Sequence, residues 1–283
     1  MPISVLIPCY NAGEKVLRAI ASAIPQRGVD EIIVLDDGST DGTRDFLEKA
    51  IALPKVKVIA RDENKGAQYT RNQLVLISAS GDNRWLTFLD ADDEIVGNEE
   101  SLKSRILDSA AITYCNMSIE RYQEGIYQYR QSWNTNAYPL LHALAAFEFV
   151  PSTSALLFNR NVFQHVSWNE TATYSGGMHC FQILLDALKA GIAIAHIPIE
   201  GILYREGWSP NQISGNKNRL NRLFARYFWQ KSLIDWLRSQ EGDYEEAIAL
   251  GIKKFNEEWQ AEIGSAASTE LPTNIENLSW LHV

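Results

Sequence analysis

The sequence predicts an α/β protein with a mainly parallel central sheet flanked by helices, followed by a helical extension at the C-terminus. Two observations in the first hundred residues support this class: short β-branched runs alternate with amphipathic runs, and turn residues separate them. A β-α order of this kind is typical of parallel strands joined by right-handed crossovers. The third observation is the change beyond residue 215, where long segments with helical spacing replace the alternation.

The strands of the first half are apolar runs that stop at a proline, an aspartate or a turn. We predict them at residues 3–7, 31–35, 56–59 and 85–89. Amphipathic segments lie between these runs and predict helices at residues 14–23, 43–50 and 67–78. Parallel pairing would bring three polar strand ends to one edge of the sheet, namely residues 8–11, 36–39 and 90–92.

The second half has a looser pattern. We predict strands at residues 111–117, 125–129, 154–158, 192–197 and 201–204, with the first two paired antiparallel. Helices are predicted at residues 99–108, 138–147, 180–190, 219–240 and 243–263. The tail from residue 264 is rich in Ser, Thr, Pro and Asn, and we expect it to be a surface segment.

Composition narrows the functional classes. The chain has 283 residues and a formal net charge of −9, which argues against a partner recognised mainly through nucleic-acid phosphates. Cys9, Cys115 and Cys180 are far apart and odd in number, which favours neither a disulfide framework nor a zinc site. The sequence has no apolar run of about 18 residues and no charged leader before its first strand. We therefore expect a cytoplasmic protein that binds no nucleic acid.

The acidic segment that follows the apolar run at 85–89 is the strongest single signal of chemistry. Asp90 and Asp92 are two positions apart, so on extended backbone both carboxylates point to the same side. Two such carboxylates, completed by the phosphates of a substrate, are a typical protein contribution to a Mg²⁺ or Mn²⁺ site. Asp-x-Asp alone is a weak motif, and an exposed acidic turn is the alternative. Its place at a strand end makes the metal hypothesis stronger.

Four segments carry a family resemblance. They read VLIPCYN at 5–11, EIIVLDDGSTDGT at 31–43, NKG with TRN within 64–72, and FLDADD at 88–93. In this order and at this spacing they resemble the family-2 glycosyltransferases of the GT-A fold. The resemblance is close over the first 95 residues, weaker to about residue 210, and absent beyond. It implies a nucleotide-sugar donor, with UDP the expected nucleotide, and a hydroxyl acceptor in glycan or polysaccharide synthesis.

The resemblance also implies roles for the first two strand ends. Pro8, Tyr10 and Asn11 match the loop that lies against the nucleotide base and ribose. Asp37, with Asp36 beside it, matches the carboxylate that accepts a hydrogen bond from the uracil ring. The plainer alternatives are that Tyr10 only packs and that the two aspartates only cap the next helix.

Further roles follow the same way. Arg71 matches a basic residue near the base and phosphates, with a surface helix position as its alternative. Asp90 and Asp92 match the D-x-D motif, and Asp92 is the more direct metal ligand. The family inverts the anomeric centre in one displacement while Mn²⁺ or Mg²⁺ stabilises the departing diphosphate. Arg205 matches a basic residue that can reach the diphosphate, and Trp208 is a candidate for stacking on an acceptor sugar or for packing.

The catalytic base is where the sequence departs from the family. The usual Glu-Asp pair at the start of the helix after the acceptor region is replaced by His179 and Cys180. His179 is one candidate base, because imidazole titrates near neutrality. Glu170 is another, whereas Asp186 lies about two turns into that helix. Loss of the base, leaving a nucleotide-sugar-binding relative or an impaired enzyme, is the remaining alternative.

The resemblance divides the chain into a GT-A catalytic domain, residues 1–215, and a helical extension and tail, residues 216–283. The catalytic domain comprises a nucleotide-binding half, 1–97, and an acceptor half, 98–215. The segment 219–240 is amphipathic with basic residues around its apolar face, which suits peripheral contact with the inner face of a membrane carrying a lipid-linked acceptor. Packing on the catalytic domain, or on a second subunit of a homo-oligomer, is the alternative.

Two other enzyme classes fit less well. A nucleotidyltransferase also grips phosphates with carboxylate-held Mg²⁺, but it commonly carries a basic, Gly-rich first loop. The loop at 8–13 has one Gly and no basic residue. A dinucleotide dehydrogenase is weaker still, because no G-x-G-x-x-G follows the first strand.

Overall fold

A computed structural model describes residues 1–80, 84–123, 126–133, 140–145, 152–170, 178–206 and 231–263. Within these ranges one mixed sheet forms the centre of the molecule. Its strands are β1 Ile3–Cys9, β2 Val29–Asp37, β3 Val56–Arg61, β4 Trp85–Phe88, β5 Glu94–Ile95, β6 Ile112–Gln123, β7 Ile126–Trp133, β8 Leu156–Asn159 and β9 Ile194–Glu206. The helices are α1 Lys15–Ala23, α2 Thr43–Ala50, α3 Ala67–Ile77, α4 Leu140–Ala145, α5 Met178–Lys189 and α6 Glu245–Ile263.

The first half is the predicted parallel β-α arrangement. The strand order is β3-β2-β1-β4-β8-β6-β9-β5, and the first three pairings in this order are parallel. Cys9 lies opposite Asp36, and Asp37 lies opposite Arg61, so these strands end at a common edge. The predicted convergence of polar strand ends therefore has the backbone register that it requires.

The second half is mostly antiparallel. β8 pairs antiparallel with both β4 and β6, and β7 pairs antiparallel with β6, as predicted for that hairpin. β9 runs parallel to β6 and antiparallel to β5. The predicted strands at 192–197 and 201–204 are one continuous strand, whose pairing with β6 shifts register around Asn116.

One other prediction of secondary structure is wrong, and another is confirmed with shifted bounds. The predicted helix at 99–108 is reduced to a 3-10 turn at Lys103–Arg105. Asn98 Oδ1 accepts the N–H of Glu100 at 2.9 Å in an Asx turn that begins this segment, but only the 3-10 turn follows. The predicted strand at 154–158 begins later, at Leu156, because Ser152 caps a 3-10 turn that precedes it.

Successive side chains of a strand point to opposite faces of the sheet, so the buried residues form two core layers. Val5 and Ile7 of β1 pack with α1 and α2 on one face, while Leu6 packs with α3 and α5 on the other. A third apolar cluster joins helical residues 231–237 and α6 to α4 and α5 through Leu144, Phe181, Leu185, Leu233, Leu237 and Ile248.

The described part of the C-terminal extension thus packs on α4 and α5. This agrees with the prediction that the extension packs on the catalytic domain. Most of the predicted helix at 219–240 lies outside the described residues, as does the tail from 264. The domain division at residue 215 stays a prediction, since residues 207–230 also lie outside. Within the described ranges, no helix combines the length and apolar character that crossing a bilayer requires.

Candidate functional site

The loops after β1 and β2 are bonded to each other. The backbone N–H of Asn11 donates to Ser39 Oγ at 2.9 Å, and Asn11 Oδ1 accepts the N–H of Thr40 at 2.8 Å. Asn11 has a φ of +50°, a conformation that asparagine tolerates better than most residues. Tyr10 is 49% exposed beside it, and Pro8 is half-buried. The exposed Tyr10 ring favours a ligand contact over simple packing.

The two aspartates at the end of β2 have different environments. Asp36 has no exposed surface, accepts from the N–H and the hydroxyl of Ser39, and pairs with Arg44 Nε at 2.9 Å. It therefore supports the loop rather than presenting a free oxygen. Asp37 accepts the backbone N–H groups of Lys65 at 2.9 Å and Gly66 at 2.8 Å, so it joins β2 to the turn before α3.

Glycine at position 38 is required by that junction. Gly38 has a φ of +77°, and a Cβ there would lie 2.8 Å from the Glu63 carbonyl carbon and 2.9 Å from Asn64 N. Both atoms belong to backbone and cannot move aside cheaply. The turn at 63–66 is consequently pressed against the end of β2, next to the Asp37 carboxylate.

The acidic strand end is organised by one arginine and one serine. Arg71 is nearly buried and donates through Nη2 to Asp90 Oδ1 at 2.8 Å, while Asp90 N–H donates to Ser154 Oγ at 3.0 Å. The Arg71 guanidinium also lies 5.2 Å from the centroid of the Trp168 ring. Arg71 is therefore the cation of the acidic strand end and not a free surface residue.

The third carboxyl of the cluster belongs to Asp93, which is fully buried. Its Oδ2 accepts the Ser154 hydroxyl at 2.5 Å, and Oδ1 has no hydrogen-bond partner within the described part of the chain. Burial raises the pKa of Asp93 well above its ordinary value, and the charges of Asp92 and Asp90 raise it further. Asp93 is thus connected to the backbone of Asp90 through the Ser154 hydroxyl.

Lys15, which the sequence analysis did not single out, lies in the electrostatic neighbourhood of this cluster. It is half-buried at the start of α1, and burial lowers its pKa while Asp92 and Asp41 act in the opposite direction. Burial raises the pKa of the Cys9 thiol, with Asp36, Asp41 and Asp92 adding to the effect. Three strand ends therefore do converge, and the signal for Lys15 was its position directly after the first polar loop.

The donor chemistry of the acidic cluster suits a hard divalent cation. In the part of the chain that the structure describes, no three His, Cys, Asp or Glu side chains are gathered as a self-sufficient metal site. Asp90 Oδ1 forms an ion pair with Arg71, and the Asp92 side chain is half-buried. Carboxylate oxygens of this kind fit Mg²⁺ or Mn²⁺, with substrate phosphates and water completing the coordination.

His179 lies close to Arg71 and Asp90, at the start of α5. Burial lowers its pKa to about 4, Arg71 lowers it further, and Asp90 acts in the opposite direction. The side chain of Gln68 on α3 contacts its ring. The next residue, Cys180, is buried against Thr153, and burial raises the pKa of its thiol to about 11. Of the two residues that replace the usual acidic pair, only the imidazole is suited to accept a proton.

Glu170 is placed differently. It is exposed, its Oε1 accepts Asn72 Nδ2 at 2.7 Å, and it lines a polar cavity of about 500 Å³. Gln182 and Asp186 of α5 line the same cavity, whereas His179 is not among its lining residues. The structure therefore groups Glu170 with Asp186 and groups His179 with Asp90.

Arg205 and Trp208 were predicted to contact the diphosphate or the acceptor. Arg205 is nearly buried and pairs with Glu94 at 2.7 Å and Glu120 at 3.2 Å, so its guanidinium ties β9 to β5 and β6. Its diphosphate role stays a prediction that the observed pairing does not support. Trp208 lies outside the described residues.

Comparison of the sequence with known proteins identifies the family to which the chain belongs. A model described as glycosyl transferase family 2 matches residues 4–167, more than half of the chain. The chain belongs to glycosyl transferase family 2. A succinoglycan biosynthesis protein, ExoO of Rhizobium meliloti, is 37% identical over 94 residues, covering 33% of this chain and 26% of the relative. The names of such relatives support a transferase enzyme linked to polysaccharide synthesis.

A second relative of this family-2 chain is the Escherichia coli protein WfaP, named as a UDP-Glc:alpha-D-GlcNAc-diphosphoundecaprenol beta-1,3-glucosyltransferase. It is 31% identical over 122 residues, covering 42% of this chain and 47% of WfaP. The chain thus matches less than half the length of either relative.

A crystal structure of Staphylococcus aureus TarS residues 1–349 superposes with a TM-score of 0.60 at 16% identity, covering 92% of this chain and 73% of that one. A second crystal structure of this fragment is described as a complex with UDP-GlcNAc. At this identity the likeness concerns the fold, and the predicted GT-A fold is confirmed.

Proposed function

We propose that this family-2 protein moves a sugar from a UDP-sugar donor to a hydroxyl acceptor in glycan or polysaccharide synthesis. The observation that carries the proposal is the convergence at one sheet edge of Asp37, the Asp90–Asp92 cluster and the loop at 8–11. The names of the relatives support the pathway class, and the UDP-GlcNAc complex of TarS supports a nucleotide-sugar donor. The family match gives the nucleotidyltransferase and dehydrogenase alternatives no support.

The nucleoside is assigned to the ends of β1 and β2. Tyr10 offers an exposed ring face, Pro8 and Asn11 shape the loop beneath it, and Asp37 accepts from the base. Asp36 acts indirectly, because it fixes Ser39, which in turn accepts the N–H of Asn11.

The diphosphate is assigned to the acidic cluster through Mn²⁺ or Mg²⁺. Asp92 and Asp90 would hold the ion, which supplies positive charge to the departing diphosphate when bound. Arg71 fixes the Asp90 carboxylate, and Asp93 with Ser154 fixes the backbone of the strand end. A single displacement at this site inverts the anomeric centre.

His179 is the proposed base. Its lowered pKa keeps the imidazole neutral at pH 7, with a nitrogen lone pair able to accept the proton of the acceptor hydroxyl. A bound diphosphate would bring negative charge near the ring and so raise its pKa toward neutrality. Glu170 remains the alternative base, acting from the rim of the polar cavity.

The acceptor is proposed to be a glycan or a lipid-linked sugar, and the diphosphoundecaprenol in the name of WfaP supports the second. A cytoplasmic protein that contacts the inner face of the membrane through its C-terminal helices would reach such an acceptor. Association of those helices between two subunits is the other arrangement that we propose for them.

A second candidate function is a nucleotide-sugar-binding relative without transfer activity. The observation that favours it is the absence of a carboxylate from positions 179 and 180, together with the buried, protonated thiol of Cys180. In this case donor binding would persist while turnover would not.

Thermal unfolding with UDP, GDP, CDP and dTDP, each with and without Mn²⁺, tests the nucleotide assignment. We expect UDP with Mn²⁺ to raise the melting temperature most, and Asp92→Ala to remove the part that depends on the ion. No stabilisation by any nucleotide, together with an unchanged Asp92→Ala variant, would show that the assignment is wrong.

Release of UDP from a panel of UDP-sugars separates the enzyme from the binder. We expect turnover in the wild type, its loss in His179→Ala with retained UDP binding, and near-normal turnover in Glu170→Gln. Equal turnover in all three proteins would remove both candidate bases. Binding without turnover in the wild type, for every donor and acceptor tried, would favour the second candidate function.

A further inference from the structure

The Asp37 carboxylate has almost all of its hydrogen-bonding capacity used by the protein itself. Its Oδ1 accepts from Lys65 N at 2.9 Å and is paired with Arg61 Nη2 at 3.0 Å, and its Oδ2 accepts from Gly66 N at 2.8 Å. A carboxylate offers about four lone-pair positions. Among the described residues, Oδ1 thus has two nitrogen neighbours and Oδ2 has one, which makes Oδ2 the more open acceptor.

Arg61 is held firmly in this position. Its Nη2 also donates to Thr70 Oγ1 at 2.6 Å, and its guanidinium carbon lies 4.7 Å from the centroid of the Tyr69 ring. The Arg61 side chain is 21% exposed and that of Asp37 only 4%. The guanidinium is thus the more exposed partner of the pair, and it lies against Oδ1.

We propose that Arg61 determines the base specificity of the nucleotide site. By closing Oδ1 it restricts Asp37 to one donor from the base, which selects uracil or thymine over guanine. The inference rests on the proposed function, in which Asp37 takes the base of the donor nucleotide.

The base edges explain the selection. Uracil and thymine present one ring N–H between two carbonyl groups, which matches one open acceptor. Guanine presents a ring N–H and an amino group side by side, which are best satisfied by both oxygens of a carboxylate. With Oδ1 closed, the guanine amino group would face the Arg61 guanidinium and lose its hydrogen bond to water without a replacement.

Calorimetric titration of the unaltered protein with UDP, GDP and inosine diphosphate, in the presence of Mn²⁺, gives the first test. Inosine diphosphate is guanosine diphosphate without the amino group, so it has one donor on this edge. We expect UDP to bind most tightly and inosine diphosphate to bind at least as tightly as GDP. Binding of GDP about fivefold or more tighter than inosine diphosphate would overturn the proposal, because Oδ1 would then be accepting.

Two substitutions give the second test. Arg61→Met opens Oδ1 and should lower the ratio of the Kd for GDP to the Kd for UDP by about fivefold or more, the discrimination expected of a paired contact. Arg61→Lys keeps a donor at Oδ1 and should leave the ratio near that of the wild type. Arg44→Met is the matched control, since Arg44 pairs with Asp36 at 2.9 Å and should affect both nucleotides alike.

The outcomes separate this inference from the proposed function. An Arg61→Met protein that binds UDP with an unchanged ratio overturns the role of Arg61 and leaves the proposed function standing. A wild type that binds none of the nucleotides overturns both. The comparison of GDP with inosine diphosphate needs no variant, so a clear preference for GDP overturns the inference even where Arg61→Met does not fold.

Discussion

Replacing Arg71 with methionine tests whether this arginine neutralises the acidic strand end. Its side chain is 8% exposed and donates at 2.8 Å to Asp90, whose side chain is 29% exposed. Methionine keeps much of the volume that packs against Trp168 but removes the charge and the donor. Asp90 would then lie beside Asp92 and the buried Asp93 without its cation.

The size of the effect follows from the burial of the pair. Removing one partner of a fully buried ion pair costs about 3–5 kcal/mol. Because Asp90 keeps 29% exposure, water replaces part of the lost contact, and we expect a loss of about 2 kcal/mol in the free energy of unfolding. In a chain of 283 residues that loss lowers Tm by roughly 3–4 °C.

Urea unfolding of a double-mutant cycle measures the interaction. Arg71→Met and Asp90→Asn should together cost less than the sum of the two single losses, by at least about 1 kcal/mol. Added Mg²⁺ should recover more stability in Arg71→Met than in the wild type, because the ion can take over the neutralising role. Arg27→Met is the control, since Arg27 forms exposed pairs with Glu99 and Glu100 and should change stability by less than about 0.5 kcal/mol.

Two results would refute this reasoning. One is an Arg71→Met protein that unfolds at the urea midpoint of the wild type. The other is strict additivity in the cycle, which would mean that Arg71 and Asp90 do not interact in solution.

Three further predictions concern other parts of the molecule. His179 should contribute a loss of up to about 3 kcal/mol in stability as the pH falls from 6.5 to 4, because unfolded His179 gains a proton in that window and folded His179, with its pKa lowered to about 4, does not. The raised pKa of Asp93 acts in the opposite direction, so the difference between the wild type and His179→Gln in urea melts across this range measures the His179 contribution. Gly38→Ala should weaken UDP binding and lower Tm, since its Cβ would meet the backbone of Glu63 and Asn64 at 2.8 and 2.9 Å; normal UDP affinity would contradict the tight junction. Leu237→Ala should cost about 2–4 kcal/mol in one cooperative transition if the C-terminal helices pack on the core, whereas a separate early transition would argue against that packing.

Sequence patterns were sufficient wherever a local signal had one structural meaning. The runs that became β1 to β4 are β-branched and apolar, and the segments between them have helical spacing, so their parallel order could be predicted. The hairpin of β6 and β7 was predicted as well, although both strands extend further than expected. The helical spacing at 99–108 was not sufficient, since this segment forms only one 3-10 turn at Lys103–Arg105.

The candidate site shows the same division. The polar strand ends could be found in the sequence, because parallel strands must deliver them to one edge. Their individual roles could not, because Asp36 and Asp37 are neighbours in the sequence yet Asp36 pairs with Arg44 while Asp37 accepts the N–H groups of Lys65 and Gly66. Arg61 and Lys15 carried no recognisable motif, since their importance comes from the carboxylates that the fold brings to them.

The sequence by itself determined the family, the parallel nucleotide-binding half and the acidic strand end, because each depends on residues close together in the chain. Only the tertiary structure decided which charges are compensated. Arg71 meets Asp90 across 19 positions and Arg61 meets Asp37 across a strand pair, while His179 is brought beside Gln68 from 111 positions away. Burial and pairing of this kind depend on how the helices pack on the sheet, and they set which carboxylate oxygens remain available to a ligand.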